Sequence, residues 1–171
     1  MDVLLVNENN KVIGKEEKLK AHKKGILHRA FSIFVFNEKN ELLIQKRALG
    51  KYHSPGLWTN TCCSHPITKN LIEEAKNRLQ EEMGFLCDLE EVFSFIYKAD
   101  VGNNLIEHEY DHVFFGKCNI TPSPDPNEVS DWRWISLNQL KIDVEKEPSK
   151  YTPWLILSLP RIIEQINIKD E

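Results

Sequence analysis

Acids at every second position, Glu107, Glu109 and Asp111, run straight into Val113-Phe114-Phe115. Alternate side chains of a strand share a face, so the three carboxylates project to one side, while the unbroken apolar run beyond them has both faces covered. On an exposed edge strand such a row would simply be solvated. A central strand removes that option, because a buried carboxylate needs a cationic or hydrogen-bonding partner. A metal ion is one such partner, and His22, His28 and His65 each lie near the end of an expected strand or loop. Three imidazoles with two carboxylates make a mixed nitrogen and oxygen set. It suits six-coordinate manganese or magnesium better than a closed structural zinc site.

Periodicity places the surrounding elements. Residues 28–36 and 41–47 are apolar and β-branched or aromatic, and Asn37-Glu38-Lys39-Asn40 between them predicts a hairpin. Residues 50–60, with Pro55-Gly56, read as a turn-rich loop. Asn70 as cap, Glu73 three residues on, and Leu71, Ala75, Leu79 and Met83 at four-residue spacing predict a helix that Gly84 ends. Glu74, Arg78 and Glu82 form a polar stripe on its other face. Residues 89–99 and 105–118 predict two strands joined at Gly102-Asn103-Asn104, and residues 132–135 a short one. Residues 121–127 hold three prolines and read as a surface loop; residues 155–168 predict a C-terminal helix bent or interrupted at Pro160. The pattern is that of a mixed β-sheet between helical layers, an α/β (α+β) chain forming one domain over residues 1–171.

Composition narrows the function. With 41% hydrophobic and 28% charged residues the chain can build a core, which excludes disorder as its main state. No apolar run approaches the roughly 18 residues of a membrane span, and the N-terminus lacks the basic flank and cleavage site of a secretion signal. A cytoplasmic protein without a membrane partner is expected. A net charge of −4 argues against a nucleic-acid partner, though Lys18, Lys20, Lys23 and Lys24 cluster, with Arg47 and Lys51 after the next strands. The four cysteines are expected reduced. Adjacent Cys62 and Cys63 fit a zinc pair poorly, which leaves inert buried thiols as the plain reading. Beside a metal-bound carboxylate, however, a thiol of reference pKa about 8.5 is kept protonated and can donate its proton.

Seven motifs, in order, resemble one family. Ala21-His22, His28-Arg29-Ala30-Phe31-Ser32, Arg47-Ala48-Leu49, Pro55-Gly56-Leu57-Trp58-Thr59-Asn60, Cys63-Ser64-His65-Pro66, Glu107-His108-Glu109 and Tyr151-Thr152-Pro153-Trp154 are similar to those of the type I isopentenyl-diphosphate isomerases, from about residue 2 to 165. That resemblance implies the Nudix fold. Residues 75–84 keep the paired glutamates and the glycine of the Nudix signature, but Asn77-Arg78 stand where a hydrolase has Arg-Glu. The glutamate lost there is a hydrolase metal ligand, and this disfavours pyrophosphate hydrolysis.

The resemblance further implies a double-bond shift from isopentenyl to dimethylallyl diphosphate through a tertiary carbocation, without flavin or nicotinamide. Cys63 and Glu109 correspond to the acid/base pair, Tyr97 to an assistant in proton delivery, and Trp154 to the aromatic that covers the cation. His22, His28, His65, Glu107 and Glu109 correspond to a site for Mn2+, Mg2+ or Zn2+. Glu82 corresponds to the ligand of a second ion, Mg2+, carried with the substrate diphosphate. Lys18, Arg47, Lys51 and Arg78 match the diphosphate-binding positions, and Cys62 is expected only to pack. The partner is thus a small prenyl diphosphate, the chain a monomer or weak homodimer. Two other readings remain at this stage: a Nudix hydrolase of nucleoside or prenyl diphosphates, and a metal- or diphosphate-binding module without catalysis.

Overall fold

The computed structural model describes residues 1–169. The one-domain expectation also covers residues 170 and 171, which lie outside the described residues. In chain order come β1 (Asp2–Val6), β2 (Val12–Glu17), α1 (Lys18–Lys24), β3 (His28–Phe36), β4 (Glu41–Arg47), β5 (Trp58–Thr59), β6 (Cys62–Ser64) and α2 (Leu71–Met83). Then follow β7 (Leu89–Asp100), β8 (Ile106–Lys117), β9 (Val129–Ser136), α3 (Leu137–Lys146) and, after a 3-10 turn at Pro148–Lys150, α4 (Pro153–Lys169). The strands form one mixed sheet, in which β8 lies between β7, antiparallel, and β3, parallel. The acid row therefore does sit on a central strand.

Period-two alternation divides the core. Phe34 and Phe36 of β3, with Leu42 and Ile44 of β4, face Leu140 and Val144 of α3 and Leu155, Leu159 and Ile162 of α4. Phe31, Ile33 and Val35, with Leu43, pack on the opposite side against Ala75, Leu79 and Met83 of α2. Helices thus cover both faces, and each buried Leu, Ile or Phe contributes roughly 1.5–3 kcal/mol of transfer free energy.

The expected hairpin of residues 28–36 and 41–47 is corrected by the structure. β3 and β4 turn at Asn37–Asn40 but pair only at Phe36↔Leu42. β6 then wedges between them: Phe31–Ile33 pair with Cys62–Ser64, and Thr61 Oγ1 accepts from the Val35 amide at 3.0 Å while donating to the Leu43 carbonyl at 2.6 Å. One hydroxyl replaces a stretch of ladder. β4 instead pairs with β9, which starts at Val129 and exceeds the expected 132–135. The C-terminal helix begins at Pro153 and runs through Pro160 as one helix; of the expected bend or interruption, the interruption is absent. Its apolar face is held by the sheet, and packing of this kind offsets the bond a proline cannot donate. β1, β2, α1 and α3 carried no clear sequence signal.

The helix cap at α2 was legible. Asn70 accepts from the Glu73 amide, and Gly84 ends the helix at φ +75°. The segment 121–127 is no mere surface loop: Ser123 and Asp125 amides cap the Met83 and Glu82 carbonyls, and a Cβ on Gly84 would come within 2.2 Å of the Ser123 carbonyl oxygen. Gly84→Ala is expected to destabilise by at least about 1–2 kcal/mol from the left-handed backbone alone. The urea midpoint should fall at constant m-value; an unmoved midpoint would refute this packing.

Candidate active site

The acid row continues the α4-facing side of β8, since Val113 and Phe115 belong to that core. It stops being apolar beside the N-terminal end of α4, where Trp154 lines the same cavity as Glu107 and Glu109. There the register sets Glu109 beside His28 of β3 and Tyr97 of β7, and α1 brings in His22 and β6's exit brings in His65. One ligand atom from each of His22, His28, His65 and Glu107 lies within 4.8 Å of the others. Glu109 joins from the next position: its Oε2 is 2.7 Å from His65 Nε2 and 3.6 Å from His28 Nε2. All five side chains are buried.

The donor set fits a divalent cation. His28 Nδ1–H donates to the Ile26 carbonyl at 2.8 Å, which leaves Nε2 as the ring's free position. That nitrogen is buried, has no hydrogen-bond partner among the described residues, and faces Glu107 Oε1 at 3.3 Å. Two lone-pair donors aimed at one point require a proton or a metal between them. His22 is oriented in the same way, with Nδ1 2.8 Å from the Tyr52 hydroxyl and Nε2 on Glu107.

In the metal-free protein these contacts set the protonation states. Burial pulls His28 down, but Glu107 and Glu109 outweigh it and raise its pKa to about 10. Burial pushes Glu107 up, yet the neighbouring His22 and His28 imidazoles leave it well below the carboxylate range. For Glu109, burial and the neighbouring Glu107 act upward, and the adjacent His28 and His65 imidazoles prevail downward. Asp111, third in the row, has no such imidazole. Burial and then Glu109 raise it well above its ordinary value, and its one side-chain hydrogen bond among the described residues is from Ser32 Oγ at 2.7 Å.

A cavity of about 200 Å3 opens against this cluster. Cys63, Glu109, Tyr97 and Trp154 all line it, together with the cations Lys18, Arg47, Lys51 and Arg78. The adjacent cysteines part company by alternation: Cys62 enters the α2 core, whereas Cys63 faces the cavity. Burial above all raises the Cys63 thiol, with Glu82, Glu109 and Asp111 adding to it against Arg47, so sulfur stays protonated. Tyr97, its own pKa raised by burial and then by Glu109, donates to Glu109 Oε1. Trp154 is fixed as a wall: its Nε1–H donates to Asn60 Oδ1 at 3.2 Å, and the Arg47 guanidinium lies 5.2 Å from the ring centre.

Of the lysine cluster, only Lys18 reaches the cavity; Lys20, Lys23 and Lys24 are exposed on α1. Glu82 stands apart from the imidazoles. Its oxygens accept from Gln45 Nε2 at 3.0 Å and Arg78 Nε at 2.7 Å. The Arg78 guanidinium also meets Glu81 and Glu128 at 3.3 Å each, so a fixed cation sits among these carboxylates.

Three contributors escaped sequence reasoning. Glu128 bridges Lys51 and Arg78. His53, 3.7 Å from Glu107, has its pKa lowered by burial to about 3 and packs edge-on to Trp154. Asn60 holds the indole. His53 lay in a segment read as turns, and the principle that scaffold-held loops carry sites was the signal that could have found it.

The chain matches the NUDIX domain family over residues 26–155. A Deinococcus radiodurans protein, DR0079, shares its fold with a TM-score of 0.78 at 19% identity, over 94% of this chain and 98% of that one. A MutT NUDIX hydrolase from Burkholderia pseudomallei aligns with a TM-score of 0.60 at 17% identity, over 78% and 96%. This is a Nudix protein, with a buried imidazole and carboxylate group able to hold a divalent metal. Isopentenyl-diphosphate Delta-isomerase 2 of Aromatoleum aromaticum is 49% identical over 162 residues, covering 94% of this chain and 86% of that protein. Isopentenyl-diphosphate Delta-isomerase 2 of Photorhabdus laumondii is 48% identical over 169 residues, covering 98% and 93%. Within the Nudix superfamily, the chain belongs to the isopentenyl-diphosphate Delta-isomerase family.

Proposed function

We propose that the chain interconverts isopentenyl diphosphate and dimethylallyl diphosphate, acting as one catalytic domain. The observation that carries this reading is a thiol and a carboxylate on the wall of one small cavity, beside an indole and four cations. Lys18, Arg47, Lys51 and Arg78 supply charge complementary to a diphosphate. Glu128, which bridges Lys51 and Arg78, pre-organises two of them.

The Cys63 thiol donates its proton to the terminal alkene carbon, and the electron pair of the double bond forms the new C–H bond. Positive charge then resides on the tertiary carbon, against the Trp154 face; cation–π attraction at a desolvated site is worth about 2 kcal/mol or more. The Glu109 carboxylate removes a proton from the carbon next to the diphosphate-bearing one, and that C–H pair becomes the new double bond. Tyr97 holds Glu109 through its hydroxyl. Exchange with solvent resets thiol and carboxylate, and the reverse reaction exchanges their roles. A divalent ion held by His22, His28, His65, Glu107 and Glu109 would supply positive charge that fixes the Glu109 carboxylate and keeps it ionised. We assign Mn2+, Mg2+ or Zn2+ there, and Mg2+ with the diphosphate near Glu82.

The chain acts in the cytoplasm on this small substrate, with no nucleic-acid or membrane partner, as a monomer or weak homodimer. Purified protein with Mg2+ and isopentenyl diphosphate is expected to yield the dimethylallyl isomer without releasing phosphate. Phosphate or pyrophosphate release in place of isomerisation would establish the hydrolase reading, and tight substrate binding with neither reaction would establish a binding module.

A further inference from the structure

Two cysteines remote from the cavity meet at the far end of the β7–β8 hairpin. The two strands pair from Asp100↔Ile106 to Leu89↔Gly116, and continuing that register by two residues sets Cys87 opposite Cys118. Contacts agree with the register: Cys87 Sγ lies 3.6 Å from the carbonyl oxygen of Lys117, the residue before Cys118. Both cysteines are free and pack on the same α2-side core. Cys87 sulfur lies over Gly116, where a Cβ would approach it to 2.7 Å. Opposed residues of an antiparallel pair are about 4.5–5.5 Å apart at Cα, within the roughly 4.4–6.8 Å a disulfide spans.

We propose that Cys87 and Cys118 form a reversible thiol–disulfide site, oxidised by a small-molecule disulfide of the glutathione type. Cys118 is half-exposed and is the point of entry. Its thiolate attacks one sulfur of the small disulfide, expelling one small thiolate and leaving a mixed disulfide. Cys87 then loses its proton to solvent and attacks the Cys118 sulfur, expelling the second small thiol. Two protein thiols are oxidised and one small disulfide is reduced to two thiols, a balanced two-electron exchange. Burial and then the neighbouring Cys118 raise Cys87 to about 11, so ring closure accelerates as pH rises. Cys62 and Cys63 are shielded, because burial holds both thiols protonated. The bond would join the connector after α2 to the head of the 119–128 segment that delivers Glu128.

The test is incubation with oxidised glutathione at pH 8, followed by thiol titration in denaturant and peptide mass mapping. Free thiols are expected to fall from four to two, with a peptide linking residues 87 and 118 and full reversal by dithiothreitol. Closing the intervening loop should raise the denaturant midpoint of the wild-type chain but not of Cys118→Ser, which forms no linked peptide. Persistence of four thiols, a glutathione adduct at Cys118 that never resolves, or loss of Cys63 thiol at the same rate would each overturn the proposal.

Discussion

Cys63→Ala is expected to lower kcat by about 10²–10⁴-fold, the usual worth of a positioned acid or base, with KM little changed because the diphosphate clamp is untouched. The neighbouring Cys62→Ala is the control that gives this number meaning. Strand alternation buries Cys62 in the α2 core and turns Cys63 to the cavity. The first substitution should therefore cost activity and leave the urea midpoint nearly in place, and the second should cost stability and leave kcat nearly in place. Glu109→Gln should match the loss of Cys63→Ala in kcat, since each removes one partner of a proton exchange that needs both. Equal kcat values for Cys63→Ala and Cys62→Ala would remove the thiol from the mechanism.

The metal-free protein is expected to lose stability as pH rises from about 6.5 to 10. His28 is raised in the folded chain to about 10 from an unfolded value near 6.5. Its contribution is therefore complete below pH 6.5 and disappears as pH climbs through 10, at up to about 1.4 kcal/mol per pH unit from this group. If the proposed divalent ion binds the cluster it would take that proton's place, so protein loaded with Mn2+ should hold its melting temperature over the same interval and bind the ion more tightly as pH rises. His28→Ala should abolish both the alkaline slope in chelated protein and the metal-dependent rise in melting temperature. Chelated and loaded protein melting alike from pH 6.5 to 10 would contradict the cluster as a metal site.

Local pattern exposed much of this arrangement. The acids of β8, the capped helix at residues 71–83 and the two-faced core all follow from periods of two and 3.6, which any short stretch of chain displays. Illegible were features that depend on distant partners. The 28–36/41–47 turn looked like a full hairpin because nothing local announces that Thr61 will enter between the strands and satisfy both. Pro160 looked like a bend or a break because its tolerance resides in the sheet beneath α4 and not in its neighbours. Glu128 was invisible as a bridge between cavity cations for the same reason: its two partners, Lys51 and Arg78, come from elements far from it in sequence. His53 carried no motif of its own, and only its closeness to Glu107 and Trp154 marks it.

Running the reaction in deuterium oxide tests the proposed exchange of protons across the cavity most directly. Deuterium should appear at the terminal methyl of dimethylallyl diphosphate and, through the reverse reaction, in recovered isopentenyl diphosphate, and both signals should collapse in Cys63→Ala and Glu109→Gln. Product formed at the normal rate with no solvent deuterium would mean that hydrogen moves within the substrate, and the paired thiol and carboxylate would have no part in it.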